Sequence, residues 1–399
     1  MSPARYPHRA MTDVLIVGGA AMGWATAHHL LRLEPDIDVT VVERDPTLRY
    51  SSTMLSDGNV RIQFNLEENI AISRYAMECL ESFPATMAVG EFVPEPQMRK
   101  QGNLFLVEEE GEHDALIGLA TQQRMGCNSR WLDMEEIAHR YPALASEDLV
   151  GGTFGPEDGS VDPHAVVEGY RRKSIAQGAV PVVAEAGSLL FSANRVMGVQ
   201  MADGSRREAD AVVICAGAWS TELLATAGAH IPVEPVMRTV YVVAGDVPGG
   251  DRIPSVFVPS GVYVIPEKDG AYFIAWSTDE DPVGYDFTPA PRARFYDVIW
   301  PELASKLPAF DRLEVIRSWA GLYAQNRLDA NAIVGGWPGI DGLYQATGFS
   351  GHGFQQCHAV GRHLAETIVG REPSLDLGRL GPERIVAGEP LHEHAGRII

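Results

Sequence analysis

Short apolar runs alternate with longer amphipathic segments near the start of the chain. The run Val14–Val17 is the length of a buried parallel strand, and a glycine-rich turn at 18–23 follows it. A helical segment, Trp24–Leu33, comes next, and a second apolar run, Val39–Val42, ends at Glu43. This order and spacing predict a βαβ unit of the dinucleotide-binding type.

Each feature of that fingerprint has a physical reason. Gly18 permits the tight turn, and Gly23 lets the helix pack close to the strand. A pyrophosphate is expected at the helix N-terminus, where free N–H groups and the helix dipole favour an anion. Glu43 lies where an acid accepts a hydrogen bond from a ribose hydroxyl, while Ala20 replaces the middle glycine of the fingerprint. The alternative is a glycine turn inside an ordinary parallel sheet.

The later segments divide into the same two kinds of pattern. Period-2 alternation or short apolar runs predict strands, and apolar positions at helical spacing predict helices. The predicted strands are 103–107, 180–184, 211–216, 239–243, 255–258, 262–265 and 271–276, and the last four are predicted to form an antiparallel meander. The predicted helices are 67–83, 114–125, 133–138, 164–177, 292–307 and 356–369.

Proline pairs mark two departures from the nucleotide-binding pattern and two returns to it. Pro94 and Pro96 open the first departure, and Pro232 and Pro235 open the second. The predicted fold class is therefore α/β plus α+β: a Rossmann-type domain with an interleaved domain on a mainly antiparallel sheet. We assign 11–90, 149–232 and 317–390 to the Rossmann-type domain, and 91–148 and 233–316 to the interleaved, substrate-binding domain.

Charge and composition exclude several classes of function. The formal net charge of −21 argues against binding to a nucleic-acid backbone or an anionic membrane surface. No apolar run reaches the roughly 18 residues of a membrane-spanning helix. The four cysteines stand far apart, so we expect neither a metal site nor disulfides, and we expect a cytoplasmic location. The segment before Met11 is expected to be a flexible leader, and His28 and His29 are expected on a helix surface.

Two further stretches carry candidate chemistry. The polar loop 50–61 is expected to continue the cradle along a long cofactor, with a solvated surface loop as the alternative. The turn Gly348–Gly353 contains a histidine and opens a helix, so its N–H groups would stabilise an isoalloxazine edge that becomes anionic on reduction. The alternative there is a glycine turn selected only for tight packing.

Together these stretches resemble a known family. The βαβ fingerprint, the polar loop ending in Arg61, CAGAWS at 215–220 and GFSGHGFQQ at 348–356 resemble FAD-dependent oxidoreductases of the D-amino-acid oxidase superfamily. The glycine oxidase and sarcosine oxidase branch is the nearest. This resemblance implies an FAD-binding domain interrupted twice by a substrate domain whose sheet covers the flavin.

The resemblance also implies roles for individual residues. Arg61, Tyr263, Tyr323, His352 and Gln355 would be catalytic, with Arg61 over the flavin ring and both tyrosines facing the substrate. Residues that match the family's FAD-binding positions would hold the cofactor: Gly18, Gly19, Ala20, Ala21, Met22, Gly23, Glu43, Arg44, Ser51, Ser52, Asn59, Val60, Arg61, Ala186, Ala216, Gly217, Trp219, Gly321, Gly348, Phe349, Ser350, Gly351, His352, Gly353, Phe354 and Gln355.

Three departures from the family pattern bear on the chemistry. Gly321 stands where some relatives attach flavin through a cysteine, so non-covalent FAD is expected. Gln355 stands where sarcosine oxidases place the lysine that anchors the substrate carboxylate, and Arg61, Arg317 or Arg327 would have to substitute. The oxygen-activating lysine falls near Phe273, which leaves a dehydrogenase as open as an oxidase.

The resulting hypothesis is an FAD enzyme that oxidises the C–N bond of an amine or an N-substituted or D-amino acid. Hydride would pass to flavin N5 and leave an imine, with oxygen or an electron carrier as the final acceptor. We expect no nucleic-acid partner, no membrane span and no metal. Three alternatives remain: a 2-hydroxy-acid dehydrogenase of the same fold, a nicotinamide-dependent dehydrogenase, and a flavoprotein whose role is partner binding, as in a respiratory-complex assembly factor.

Overall fold

The computed structural model describes residues 12–393, so the predicted leader before Met11 lies outside the described residues. The helices are α1 Ala21–Leu33, α2 Glu67–Thr86, α3 Glu112–Arg124, α4 Met134–Arg140, α5 Pro163–Ala176, α6 Ser220–Ala225, α7 Arg292–Arg294, α8 Trp300–Lys306, α9 Gly353–Ile368 and α10 Glu383–Ala387. A π-helical turn, Phe295–Ile299, joins α7 to α8.

The strands are β1 Asp13–Val17, β2 Asp38–Glu43, β3 Asn59–Val60, β4 Asn103–Val107, β5 Arg130–Asp133, β6 Gly151–Gly155, β7 Gly159–Ser160, β8 Val180–Val183, β9 Ala186–Ser192, β10 Arg195–Met201, β11 Arg206–Glu208, β12 Ala211–Ile214, β13 Val233–Gly245, β14 Ser255–Phe257, β15 Val262–Pro266, β16 Ala271–Trp276, β17 Leu313–Asn326, β18 Ile333–Gly336 and β19 Leu343–Thr347.

A six-stranded sheet carries the predicted βαβ unit. Its order is β18-β19-β12-β1-β2-β8, and every neighbouring pair is parallel except β18 with β19. The chain order reverses between β1 and β12, and ligands of such sheets bind beyond the strand ends at this point. The helices α1 and α9 follow β1 and β19, and a Cβ on Gly361 of α9 would lie 2.8 Å from the Ala25 carbonyl carbon of α1. Glycine therefore lets the two helices pack closely.

An eight-stranded, mainly antiparallel sheet forms the second layer. Its order is β17-β13-β16-β15-β14-β4-β6-β5, with β14 and β4 as a parallel pair. The predicted meander β13 to β16 lies inside it, although β13 pairs with β16 rather than with β14. The helical stretch 292–306 packs Phe295, Ile299 and Leu303 against one face of this sheet. The mixed fold class predicted from the sequence is confirmed.

Several features differ from the sequence-based predictions. A three-stranded antiparallel sheet of β9, β10 and β11 was not predicted. The glycine-rich strand β6 pairs with β4 and β5 in the eight-stranded sheet, on the other side of the boundary that we placed at 149. A Cβ on Gly152 would lie 2.6 Å from the Phe105 carbonyl oxygen, so close packing between β6 and β4 requires a glycine there.

The surface assignment of two histidines on α1 was wrong. His28 and His29 are both 4% exposed, because α5 covers that face and brings Tyr170 within 5.6 Å of His28, ring centroid to centroid. Among the described helices, none is long and apolar enough to cross a membrane.

Candidate active site

The turn after β1 is closed by two glycines that leave no room for a side chain. Gly18 has φ of +110°, and a Cβ there would lie 2.3 Å from the carbonyl oxygen of Cys215, directly after β12. A Cβ on Gly23 would lie 1.9 Å from the Gly18 carbonyl oxygen. Helix α1 then begins at Ala21 with no side-chain cap among the described residues and no acidic residue in its first turn. Its N-terminal N–H groups are thus suited to an anionic ligand.

Glu43 at the end of β2 braces this turn. Its Oε2 accepts a hydrogen bond of 2.8 Å from the Gly19 N–H, and its Oε1 accepts one of 2.9 Å from the Asp45 N–H. The carboxylate also lines the main cavity. The acid predicted to contact a ribose hydroxyl therefore also fixes the glycine turn beside it.

The main cavity runs between the two large sheets, from the Gly18 turn to the His352 turn. All five residues predicted to be catalytic line it. So do most residues predicted to bind the cofactor: Gly18, Ala20, Met22, Glu43, Arg44, Ser51, Ser52, Asn59, Arg61, Ala186, Ala216, Gly217, Trp219, Gly321, Phe349, Ser350, Gly351, His352, Gly353, Phe354 and Gln355. The others, Gly19, Ala21, Gly23, Val60 and Gly348, belong to the same turns and strands without lining the cavity.

The polar loop after β2 is fixed to the eight-stranded sheet. The Ser52 hydroxyl donates to the Leu322 carbonyl oxygen at 2.5 Å, and the Trp319 indole N–H donates to the Leu55 carbonyl oxygen at 2.9 Å. Gly58 has φ of +75°, and a Cβ there would lie 2.2 Å from the Val161 carbonyl oxygen. The loop is therefore an ordered wall of the cavity and not a solvated surface loop.

Arg61 and His352 meet at the far end of the cavity. The Arg61 Nη2 donates to His352 Nε2 at 3.0 Å. A guanidinium has only donors, so Nε2 is the acceptor and the imidazole proton sits on Nδ1. Burial, followed by the charge of Arg61, lowers the pKa of His352 to about 3, so the imidazole is neutral. Burial lowers the pKa of Arg61 to about 10, which leaves the guanidinium charged at neutral pH.

Gln355, in the first turn of α9, holds the Arg61 backbone. Its side-chain oxygen accepts from the Arg61 N–H at 2.7 Å, and its amide donates to the Arg61 carbonyl oxygen at 3.0 Å and to the Ser73 hydroxyl at 2.9 Å. Helix α9 itself begins with no side-chain cap among the described residues. Gln355 thus positions Arg61 at an N-terminus whose N–H groups are available to an anion.

The charged residues Asp57 and Arg238, which lie near Tyr263 and Tyr323 in the cavity, were missed by sequence reasoning. Asp57 accepts a hydrogen bond of 2.8 Å from the Tyr263 hydroxyl, and Arg238 of β13 places its guanidinium carbon 5.2 Å from the Tyr323 ring centroid. Asp57 lies in the polar loop that was already singled out, so its position was the available signal. Arg238 carries no local signal, because it follows a proline-rich stretch that reads only as a boundary.

Of the three arginines predicted as possible substitutes for the missing lysine, only Arg61 lines the cavity. Arg317 and Arg327 are exposed and do not line the cavity; Arg327 pairs with Glu234 at 2.7 Å. The prediction for these two was wrong, because both project from β17 or its end toward solvent. Phe273, near which the family resemblance places the oxygen-activating lysine, packs edge-on against Trp319 with ring centroids 5.3 Å apart.

Comparison with known proteins places this geometry in a family. The DAO family profile, described as FAD dependent oxidoreductase, matches residues 13–367. This chain belongs to the DAO family of FAD-dependent oxidoreductases. It is 34% identical to "FAD-dependent oxidoreductase domain-containing protein 1" of Xenopus laevis, over 97% of this chain and 85% of that protein.

Two other relatives are informative. The glycine oxidase of Pseudomonas putida is 34% identical over 47% of this chain and 49% of that protein. The crystal structure of L-proline dehydrogenase from P. horikoshii superposes with a TM-score of 0.83 at 25% identity, covering 96% of this chain and 99% of that one. This DAO-family protein is therefore an FAD-dependent oxidoreductase.

The described residues fit FAD at both ends of the cavity. The uncapped start of α1 beside Gly18 suits a pyrophosphate, and the uncapped start of α9 beside Arg61 suits a flavin edge that gains negative charge. The Arg44 guanidinium lies over the Trp219 ring, with 4.2 Å between the guanidinium carbon and the ring centroid. Arg44 directly follows Glu43, the acid predicted to contact a ribose hydroxyl. These features agree with a long, anionic, aromatic cofactor.

Proposed function

We propose that this enzyme oxidises the C–N bond of an amine or of an N-substituted or D-amino acid and releases an imine. FAD, when bound, supplies the two-electron acceptor for the hydride that leaves the carbon next to nitrogen. We propose that the cofactor is held without a covalent bond. The thiol of Cys215 lines the cavity at the Gly18 end, and burial raises its pKa to about 12, so it is an unreactive thiol there.

One observation carries this proposal: charged groups of both signs and two phenols converge on one part of the cavity. Burial raises the pKa of Tyr323, and the charge of Asp57 raises it further. The charges of Arg238 and Arg61 act in the opposite direction on the same phenol. All three charged groups therefore lie within electrostatic range of Tyr323, and such a site suits a substrate with a cationic nitrogen and an anionic group.

Arg238 is the residue that we propose for an anionic group of the substrate. Its Nη1 donates to the Thr278 carbonyl oxygen at 2.8 Å and pairs with Asp281, while its buried Nε has no hydrogen-bond partner among the described residues. Asp281 also pairs with Arg294 at 2.6 Å, so two guanidiniums share one carboxylate and the cluster keeps a positive charge. A substrate carboxylate would supply the missing acceptor.

Arg61 and the start of α9 take a different role in this proposal. The guanidinium, held by neutral His352 and by Gln355 through the backbone, stabilises negative charge that develops at the flavin edge. The side chains of Tyr263 and Tyr323 form a wall that orients the substrate. The names of two relatives, glycine oxidase and L-proline dehydrogenase, support an amino-acid substrate class.

The test is a reduction screen under nitrogen. Purified, FAD-saturated protein is mixed with N-methyl amino acids, D-amino acids, simple amines and 2-hydroxy acids, and the flavin absorbance is followed. We expect bleaching with at least one amine, and a loss of affinity of at least tenfold for carboxylate-bearing amines in Arg238→Met. The exposed Arg317→Met is the matched control and should behave as wild type.

Other results would redirect the proposal. Bleaching by 2-hydroxy acids alone would indicate a hydroxy-acid dehydrogenase, and no bleaching alongside a stably co-purifying protein would indicate a partner-binding role. Air is admitted after reduction to distinguish oxygen from an electron carrier as the final electron acceptor. Slow reoxidation would fit the aromatic residue at position 273 and point to an electron carrier instead of oxygen. A cytoplasmic location is part of the same proposal.

A further inference from the structure

We propose that Asp57, hydrogen-bonded to Tyr263, is the group that removes the proton from the substrate's ammonium nitrogen before hydride transfer. This inference rests on the proposed amine oxidation and adds a catalytic residue to it. The sequence alone shows no acid–base pair, because the two residues lie 206 positions apart and meet only in the folded chain.

The carboxylate is held at the cavity by donors on both oxygens. Its Oδ1 accepts a hydrogen bond of 3.0 Å from the Asn59 N–H, and its Oδ2 accepts the 2.8 Å bond from the Tyr263 hydroxyl. Asp57 and Tyr263 both line the cavity, and Tyr263 is anchored in β15 at 5% exposure. An oxygen that accepts one hydrogen bond keeps a second lone pair, which can accept from a substrate N–H.

The surroundings tune this carboxylate toward accepting a proton. Burial raises the pKa of Asp57, the Asn59 N–H and the Tyr263 hydroxyl lower it, and the charge of Glu267 raises it again. The net direction is upward. The other charged and titratable groups that face this part of the cavity are Tyr323, Arg238 and Arg61. A carboxylic acid with a raised pKa is a better match to an amine than an ordinary surface aspartate.

The chemistry requires such an acceptor. An alkyl amine resembles the lysine side chain, with a pKa of about 10, and is almost wholly an ammonium at neutral pH. The carbon next to nitrogen can release hydride only as the nitrogen lone pair forms the C=N bond. In the proposed step the N–H bond breaks, its electron pair stays on nitrogen, and the proton bonds to an Asp57 carboxylate oxygen. Bound FAD would accept the hydride with its two electrons.

The first experiment measures how the rate of anaerobic flavin reduction depends on pH, using the amine that bleaches the wild type most strongly. In Asp57→Asn the nitrogen must lose its proton to water. We expect kcat/KM at pH 7 to fall by about 10²-fold and to recover about tenfold per pH unit up to the amine's own pKa. In Tyr263→Phe, which keeps the carboxylate, the wild-type shape of the profile should persist. The exposed Asp251→Asn is the matched control.

A second readout does not depend on turnover. The probe is 2-methylalanine, an amino acid with no C–H bond on the carbon next to nitrogen. Its binding is followed by calorimetry at pH 8 in phosphate and in Tris, whose ionisation heats differ. We expect no net proton release in the wild type, and release of about one proton per bound ligand in Asp57→Asn, because the proton then passes to the buffer. Flavin absorbance per chain verifies that the variants are folded and loaded.

The outcomes separate the two proposals. If no amine bleaches the wild type, amine oxidation fails, and the role of Asp57 fails with it. If amines bleach the wild type but Asp57→Asn keeps the same pH profile and proton count, amine oxidation stands and the role of Asp57 is refuted. If Asp57→Asn and Tyr263→Phe lose FAD equally and share one pH profile, the pair is structural and the proposal is also refuted.

Discussion

Gln355 offers the sharpest test of how the site is built. The substitution Gln355→Leu keeps the side-chain volume nearly constant and removes three buried hydrogen bonds, two to the Arg61 backbone and one to the Ser73 hydroxyl. At about 1 to 1.5 kcal/mol for each buried bond, we expect a loss of about 3 to 4.5 kcal/mol in the free energy of unfolding. Gln356→Leu is the matched control on the same helix. It removes one bond of 3.2 Å, to Asn69, and should cost about 1 kcal/mol.

The measurement is urea unfolding of both variants and the wild type at saturating FAD, followed by far-ultraviolet circular dichroism. The rate of flavin reduction is measured in parallel. Displacement of Arg61 should lower that rate in Gln355→Leu and leave it near wild type in Gln356→Leu. Equal losses of stability in the two variants would refute the reasoning, since they would show that the hydrogen bonds of Gln355 contribute no more than the single hydrogen bond of the Gln356 side-chain amide. An unchanged reduction rate in Gln355→Leu would refute the positioning role alone.

Three further predictions follow from individual residues. Gly351→Ala should lower FAD affinity by at least tenfold in a fluorescence titration, because φ is +101° and a Cβ would lie 2.6 Å from the Tyr323 ring. The control is Gly178→Ala, where φ is +114° and no atom lies within 4 Å of an added Cβ; it should lose stability without losing FAD. Ala20→Gly should tighten FAD binding severalfold by restoring the fingerprint glycine at the cavity, and weaker binding would contradict this. Burial lowers the pKa of His358 from 6.5 to about 3, so the unfolded chain takes up this proton first on acidification. The stability that neutral His358 contributes is fully present above about pH 6.5 and declines below it, by about 2 kcal/mol between pH 7 and pH 5. His358→Gln should remove about that much of the total decline measured by urea unfolding.

Local patterns were enough to predict the nucleotide-binding half of the fold. The apolar runs of β1 and β2 and the glycines between them determine strand, turn and helix within about 30 residues. The sheet of β9 to β11 has no such signal, since its strands mix exposed and buried positions without regular alternation, and all three residues of β11 are exposed. Their pairing depends on neighbours in space, which periodicity does not record.

The same limit applies to the site. Gln355 lies in a motif that the family resemblance recognises, but its side chain faces the Arg61 backbone, and only the folded chain shows this. The partnership of Asp57 with Tyr263 joins the polar loop after β2 to strand β15 of the eight-stranded sheet. Arg238 gains its partner Asp281 from the turn after β16. Residue types suggested the chemistry, while the pairing of charges was decided by tertiary structure.

The parallel pairing of β1 with β12 determines how long one edge of β1 stays unpaired while the chain is synthesised. Its first apolar residue, Val14, pairs with Ala211 of β12, and β12 in turn pairs with β19 near the end of the chain. At roughly 5 to 20 residues per second, a ribosome needs roughly 10 to 40 s to produce β12 after β1. Throughout that interval an apolar strand has one unmatched edge, which is a template for aggregation. Efficient production of this enzyme should therefore depend on chaperones that bind nascent chains.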